Sequence, residues 1–247
     1  LKSIGTRFAT LATGSKPDIA LYRNVIMSEQ TTLKVGMEVA NFKVQACPPT
    51  AMKVGMEVPD FQMQTYFPAD REFGTISLDE LRQKKKWVVM VFYPADFTFV
   101  CPTELADLAD QYEALKKLGA EVISVSTDTH FTHLAWRDAE KLLAKVTYPM
   151  GADPNGEVSR LFGVYDNATG LALRGTFIIN PEGKLVSSEV NFYNVGRNAE
   201  ELLRKMEANV YLAAHPAEAC PAKWKQGGKT LKPGKDLVGK VYEALQG

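Results

Sequence analysis

Seven consecutive residues, Trp87 to Tyr93 (W-V-V-M-V-F-Y), are apolar at odd and even positions alike, and Pro94 follows directly. Side chains of a strand point alternately to opposite faces, so a strand without a polar face has protein on both sides, as a central strand of a parallel or mixed sheet does. Pro94 then ends the strand, because its ring removes a ladder donor. From Pro102 onward, Glu104, Leu105, Leu108, Tyr112 and Leu115 recur at helical spacing, and Gly119 ends the predicted helix near Leu118. Cys101 therefore falls in or beside the first helical turn, where unpaired N–H groups and the positive end of the helix dipole favour an anion. The position suits a working thiolate.

The coarse order is strand, helix, strand, helix, then hairpin and helix, which predicts an α/β sandwich. Ser77-Leu78-Asp79-Glu80 reads as a capping box opening a short helix. Lys84-Lys85-Lys86 is a solvated turn, too short to argue for nucleic acid. Glu121–Ser126 is a strand, followed by a helix carrying Trp136. Thr176–Asn180, the turn Pro181-Glu182-Gly183 and Lys184–Val190 make a hairpin, and Asn198 caps a helix reaching about Ala214. The tail from His215 is rich in Pro, Gly and Lys and reads as an extended arm ending in a short helix near Leu237.

A chain of 247 residues, 45% hydrophobic, can bury a substantial core. Lys plus Arg equals Asp plus Glu at 29 each, so no whole-chain field argues for nucleic acid or an anionic membrane as partner, and no apolar run reaches bilayer-spanning length. Three cysteines, Cys47, Cys101 and Cys220, without a C-x-x-C pair, suggest neither a disulfide scaffold nor a zinc site, and no metal or cofactor is expected. A reducing compartment, the cytoplasm, fits this usage.

The first fifty or so residues are unlike the rest. Lys34–Val39 (K-V-G-M-E-V) recurs as Lys53–Val58, with Phe42 and Phe61 continuing the match; two copies this short cannot make a solenoid. Residues 1–17 carry Lys2, Arg7 and Lys16 and no acid, a transit-peptide composition that leaves organellar targeting open. The reading adopted is a disordered or poorly packed extension over 1–52, or a natural start at Met27, with a catalytic unit over 53–214 and a C-terminal arm over 215–247.

Pro94-x-x-x-Thr98-x-x-Cys101 within F-Y-P-A-D-F-T-F-V-C-P-T-E, followed by V-S-T-D (125–128), H-L-A-W (133–136), R-G-T-F (174–177) and C-P-A-K-W (220–224), resembles the typical 2-Cys peroxiredoxins, the group that includes bacterial alkyl hydroperoxide reductase C. The similarity covers roughly 53–247 and implies a thioredoxin-like fold with peroxiredoxin insertions. It also implies a thiol-dependent peroxidase acting on hydrogen peroxide and alkyl hydroperoxides. By this resemblance Cys101 is peroxidatic, and Cys220 of a partner subunit resolves its sulfenic acid as an intersubunit disulfide that an external dithiol, thioredoxin or a dedicated flavoprotein reductase, restores. Thr98, the backbone N–H groups of Cys101 and its neighbour, and Arg174 would aim donors at the peroxide oxygens, Pro94 would shield the sulfur, and Glu104 would hold Arg174 by a bidentate pair. Tyr93 and Trp136 would stand behind the pocket. An obligate homodimer, and often a ring of five dimers, is implied as well.

Other residues read more plainly. Cys47 is a bystander, His130 and His133 are polar helix residues, since an ionised sulfur needs no base, and His215 marks a helix end. Two other functions compete. A thioredoxin-type disulfide oxidoreductase would need two cysteines near one helix start, and only Cys101 is there; a redox-sensitive holdase-type binding protein would show no peroxidase turnover. The Gly-Gly-Leu-Gly loop and C-terminal Tyr-Phe of peroxide-sensitive members of the resembled family have no counterpart here: 151–164 reads G-A-D-P-N-G-E-V-S-R-L-F-G-V, and Glu243 follows Tyr242.

Overall fold

The computed structural model describes residues 51–246; segment 1–17, the first copy of the repeat and Cys47 lie outside the described residues. Strands β1 (Gln62–Phe67) and β2 (Glu72–Ser77) form a hairpin, followed by α1 (Leu78–Gln83), β3 (Trp87–Phe92), α2 (Cys101–Lys117), β4 (Ala120–Ser126), α3 (His130–Ala139) and β5 (Met150–Ala152). Then come α4 (Glu157–Leu161), the small ribbon β6 (Tyr165–Asp166) and β7 (Leu171–Ala172), the hairpin β8 (Arg174–Ile179) and β9 (Leu185–Asn191), α5 (Ala199–Ala214) and α6 (Val241–Gln246). The main sheet has seven strands in the order β2-β1-β5-β4-β3-β8-β9. β3, β4 and β5 run parallel, while β1 and β8 flank them antiparallel, so the sheet is mixed.

β3 lies between β4 and β8 with all six residues buried, as its two-sided apolarity requires. Val89, Val91 and the following Tyr93 face a core shared with α2, α3 and α5 through Leu105, Trp136 and Leu202. Val88, Met90 and Phe92 face a second core with Leu78 and Leu81 of α1 and Val158 of α4. Each fully buried aliphatic or aromatic side chain contributes about 1.5–3 kcal/mol, which anchors the strand carrying the candidate site.

Local signals act largely as the sequence anticipates. Gly119 follows α2 at φ +81°, and the Asn198 side chain accepts from the N–H groups of Glu200 and Glu201. Ser77 Oγ accepts from the Glu80 N–H at 3.2 Å, which is one half of a capping box. The second repeat copy meets the start of β9: the Gly55 N–H donates to Leu185 O at 2.8 Å, and the Glu57 backbone pairs antiparallel with that of Lys184. Met52, assigned to the extension from sequence, is buried, and its N–H donates to Leu161 O.

Two features differ from expectation. β2, α4, β5 and the β6–β7 ribbon are additional to the predicted elements; α4 has five residues, β5 three and β6 and β7 two each, too short to carry a periodic signal. The arm after His215 is held rather than free: Trp224 is buried against Tyr211, with ring centroids 5.1 Å apart, and its carbonyl accepts from Arg204 at 3.2 Å. Near the end stand a 3₁₀ turn at Lys235–Leu237 and the exposed α6.

Candidate active site

Cys101 is the first residue of α2 and has no solvent exposure. The N-cap, Val100, offers no side-chain acceptor, Pro102 has no N–H, and the Thr103 and Glu104 N–H groups turn back to the Val100 carbonyl. The Cys101 N–H is thus the first-turn donor not committed to that carbonyl.

A guanidinium reaches the sulfur from β8: Arg174 Nη1 lies 3.4 Å from Cys101 Sγ. The same nitrogen donates to Glu104, and Nε donates to the Tyr193 carbonyl at 2.8 Å. The expected bidentate Glu104–Arg174 pair is not what forms. Arg197 makes the fork instead, with Nε 2.8 Å from Glu104 Oε1 and Nη2 3.2 Å from Oε2, and its own N–H adds a third bond to Oε1 at 2.9 Å. The reason is geometric: Arg174 has Nε tied to a backbone carbonyl and Nη1 turned between sulfur and carboxylate, so it presents one donor where a fork needs two. Arg197 is not among the residues that the sequence singles out. It follows Gly196 in the loop before α5, and 93 residues separate it from Glu104.

The side chains of Glu104, Arg174 and Arg197 are only 4%, 4% and 8% exposed, so their charges act with little screening. Two cations against one anion leave one positive charge beside Cys101. Gly175 makes the approach possible: a Cβ there would lie 2.7 Å from the Phe177 ring and 2.8 Å from Val164, while its carbonyl accepts from Arg197 at 2.8 Å.

The loop joining β3 to α2 carries the remaining predicted residues. Pro94 is buried, and the half-buried Thr98 donates its hydroxyl to the Ala95 carbonyl at 2.7 Å rather than toward the sulfur. Between them, Phe97 adopts φ +57°, a left-handed conformation that costs a non-glycine residue roughly 1–2 kcal/mol. Tyr93 and Trp136 are buried with centroids 5.9 Å apart in the core that holds Cys101.

His133 differs most from its expected place. It is fully buried, with Nδ1 2.7 Å from Asp96 Oδ2 and Nε2 3.1 Å from the Gly151 carbonyl, and Tyr93 donates to Asp96 Oδ1 at 2.7 Å. Burial pushes the Asp96 carboxyl above the usual range, opposed by the His133 hydrogen bond, and burial with the neighbouring Asp96 drives the Tyr93 phenol well upward. His130 is partly exposed and packs against a tilted Phe131 ring and, edge to face, against Phe73. His215 closes α5 as expected, its ring 4.1 Å from that of Tyr211.

Cys220 lies elsewhere, partly exposed in the arm beside α5, near Arg204, Ala208 and Leu212. Burial and then the Glu218 charge raise its thiol above the ordinary value. Both described cysteines are free thiols. Among the described residues no group of three His, Cys, Asp or Glu is placed to hold a metal, and no helix is long and apolar enough to cross a membrane.

The chain resembles known proteins in both sequence and fold. The chain is 53% identical over 174 residues to alkyl hydroperoxide reductase C of Staphylococcus aureus, covering 70% of this chain and 91% of that protein. Among solved structures, Enterococcus faecalis AhpC superposes with TM-score 0.64 at 46% identity, covering 68% of this chain and 98% of that one. The reduced 2-Cys peroxiredoxin of Plasmodium vivax superposes with TM-score 0.70 at 31% identity, covering 74% and 94% respectively. The expected thioredoxin-like α/β fold is thereby borne out. The sequence pattern of the AhpC/TSA family matches residues 54–188, and on these grounds the chain belongs to the AhpC/TSA family.

Proposed function

We propose that the chain is a thiol peroxidase that reduces hydrogen peroxide and small alkyl hydroperoxides at Cys101. The observation carrying this reading is the Arg174 guanidinium 3.4 Å from Cys101 Sγ, set against a buried carboxylate that Arg197 also holds. A thiolate is the charge that balances this group. It attacks one peroxide oxygen, the O–O bond breaks, and the departing oxygen leaves as water or alcohol after taking a proton, while Cys101 becomes a sulfenic acid. Arg174 and the Cys101 N–H stabilise the charge developing on the peroxide oxygens, the Thr98 hydroxyl contributes once it turns from Ala95, and Pro94 keeps water from the sulfur.

Cys220 of a partner subunit then condenses with the sulfenic acid, releasing water and forming an intersubunit disulfide, which an external dithiol such as thioredoxin or a flavoprotein reductase reduces. In this reading residues 53–214 are the peroxidase unit, 215–247 the arm that delivers Cys220, and a reducing compartment such as the cytoplasm is the setting. Two apolar surfaces support assembly into dimers and a ring of dimers. Edge strand β9 and the turn after it expose Val190, Phe192 and Val195, and the active-site loop exposes Phe97 and Phe99.

Peroxide consumption in the presence of a dithiol reductant tests the assignment. Cys101→Ser abolishes it, and Cys220→Ser permits one oxidation without turnover by a reductant that requires a disulfide. Sustained turnover by the Cys101 variant contradicts the assignment.

A further inference from the structure

Asp96 sits two residues before Thr98 and five before Cys101, in the loop that must hold the sulfur in place. It is 6% exposed, and three separate elements hold it. Tyr93 at the end of β3 donates to Oδ1, His133 of α3 faces Oδ2, and the Asp96 N–H donates at 2.9 Å to Asp128, which Ser126 holds at 2.7 Å. His133 is fixed in turn by the Gly151 carbonyl of β5.

The proton count is constrained. A carbonyl can only accept, so His133 Nε2 carries a hydrogen. One further proton lies between His133 Nδ1 and Asp96 Oδ2, on either atom, and the pair is neutral overall in both cases. None of this is used in the peroxide chemistry.

The next residue, Phe97, has the left-handed backbone and is 57% exposed, so packing alone does not enforce that conformation. An unfavourable backbone persists where its surroundings over-determine it, and the over-determined neighbour is Asp96. Resting on the peroxidase reading above, we infer that the Tyr93–Asp96–His133 network is a positioning device. It holds the loop, and with it Thr98 and Cys101, in the peroxide-reacting arrangement, and its release favours the open arrangement in which Cys101 reaches Cys220.

Two rates separate this from a general effect on folding: oxidation of Cys101 by peroxide, and formation of the Cys101–Cys220 disulfide from the sulfenic acid. Both are followed by rapid quench and intact mass. Asp96→Ala slows oxidation about 10- to 100-fold through misplacement of the sulfur, and leaves the disulfide step as fast or faster. Asp96→Asn can donate from Nδ2 to a neutral His133 Nδ1 and accept from Tyr93, so it restores oxidation to within about threefold of the parent. Tyr93→Phe keeps the ring and removes one bond to Asp96; it slows oxidation by a smaller factor, about three- to tenfold, without slowing disulfide formation, and reads out even where Asp96→Ala does not fold. Parental oxidation in both Asp96→Ala and Tyr93→Phe, a parallel fall of both rates, or an Asn variant no better than Ala overturns the inference. Failure of the parent itself to lose the Cys101 thiol to peroxide would instead overturn the peroxidase reading.

Discussion

Arg174→Lys keeps the positive charge on β8 and removes the guanidinium geometry. Arg174 makes three contacts at once: Nε to the Tyr193 carbonyl, Nη1 to Cys101 Sγ, and Nη1 to Glu104. A lysine ammonium is a single point on its stem and cannot span all three. Two losses follow, and they have different ceilings. An ordinary thiol at neutral pH is a few per cent ionised, so losing all help in ionising the sulfur costs at most about 30-fold, or about 2 kcal/mol. Losing a preorganised donor to the transition-state oxygen costs about 100- to 1,000-fold, or roughly 2.7–4 kcal/mol. Arg197 retains its fork on Glu104 and the lysine retains a charge near the sulfur, so the first loss is small. The expected result is a fall of about 100-fold in the second-order rate with peroxide, most of it a donor effect. Stopped-flow measurement at neutral pH and at about pH 9.5, where an ordinary thiol is mostly ionised and a lysine still charged, separates the two. The deficit persists at alkaline pH if the donor matters; parity there refutes the argument.

Arg197→Ala leaves Glu104 neutralised by Arg174 but removes the two-bond fork in a nearly dry site, at a cost of about 1.5–3 kcal/mol for each charge-assisted bond. Thermal unfolding should show that loss together with a slower peroxide rate, while Arg197→Lys recovers only part of both. Over-oxidation should be weak: without the Gly-Gly-Leu-Gly loop and C-terminal Tyr-Phe, fewer contacts oppose release of the Cys101 loop, and α6 with Tyr242 73% exposed adds little restraint. Intact mass after turnover in excess peroxide should show chiefly disulfide, and a two-oxygen adduct on Cys101 at low peroxide would contradict this.

How far the sequence carries depends on how local each signal is. β3, α2 and the β8–β9 hairpin are written in consecutive residues, and Cys101 at the strand-to-helix junction follows from Pro94, Pro102 and the apolar periodicity alone. Arg197 and His133 are not legible that way. Arg197 gains its role only because the α5 cap packs beside α2, which brings it to a glutamate 93 residues earlier. His133 lies on the helix that carries the buried Trp136, but its partner Asp96 is 37 residues away, and its other contact, the Gly151 carbonyl of β5, is 18 residues away. A histidine on the core-facing side of a helix near an aspartate-bearing loop is the signal that could have flagged the pair. The division of Glu104 between two arginines is likewise a matter of tertiary geometry, not residue type.

The central claim is that Cys101 and Cys220 of two subunits exchange peroxide oxidation for a disulfide. Reduced protein is treated with substoichiometric peroxide, its remaining thiols are counted, and the product is run on a non-reducing gel. The account predicts loss of two thiols for each peroxide, since one peroxide oxidises two thiols to one disulfide, with a band at twice the subunit mass that vanishes in Cys101→Ser and in Cys220→Ser. Unchanged thiols, or a dimer band that survives both substitutions, would contradict it.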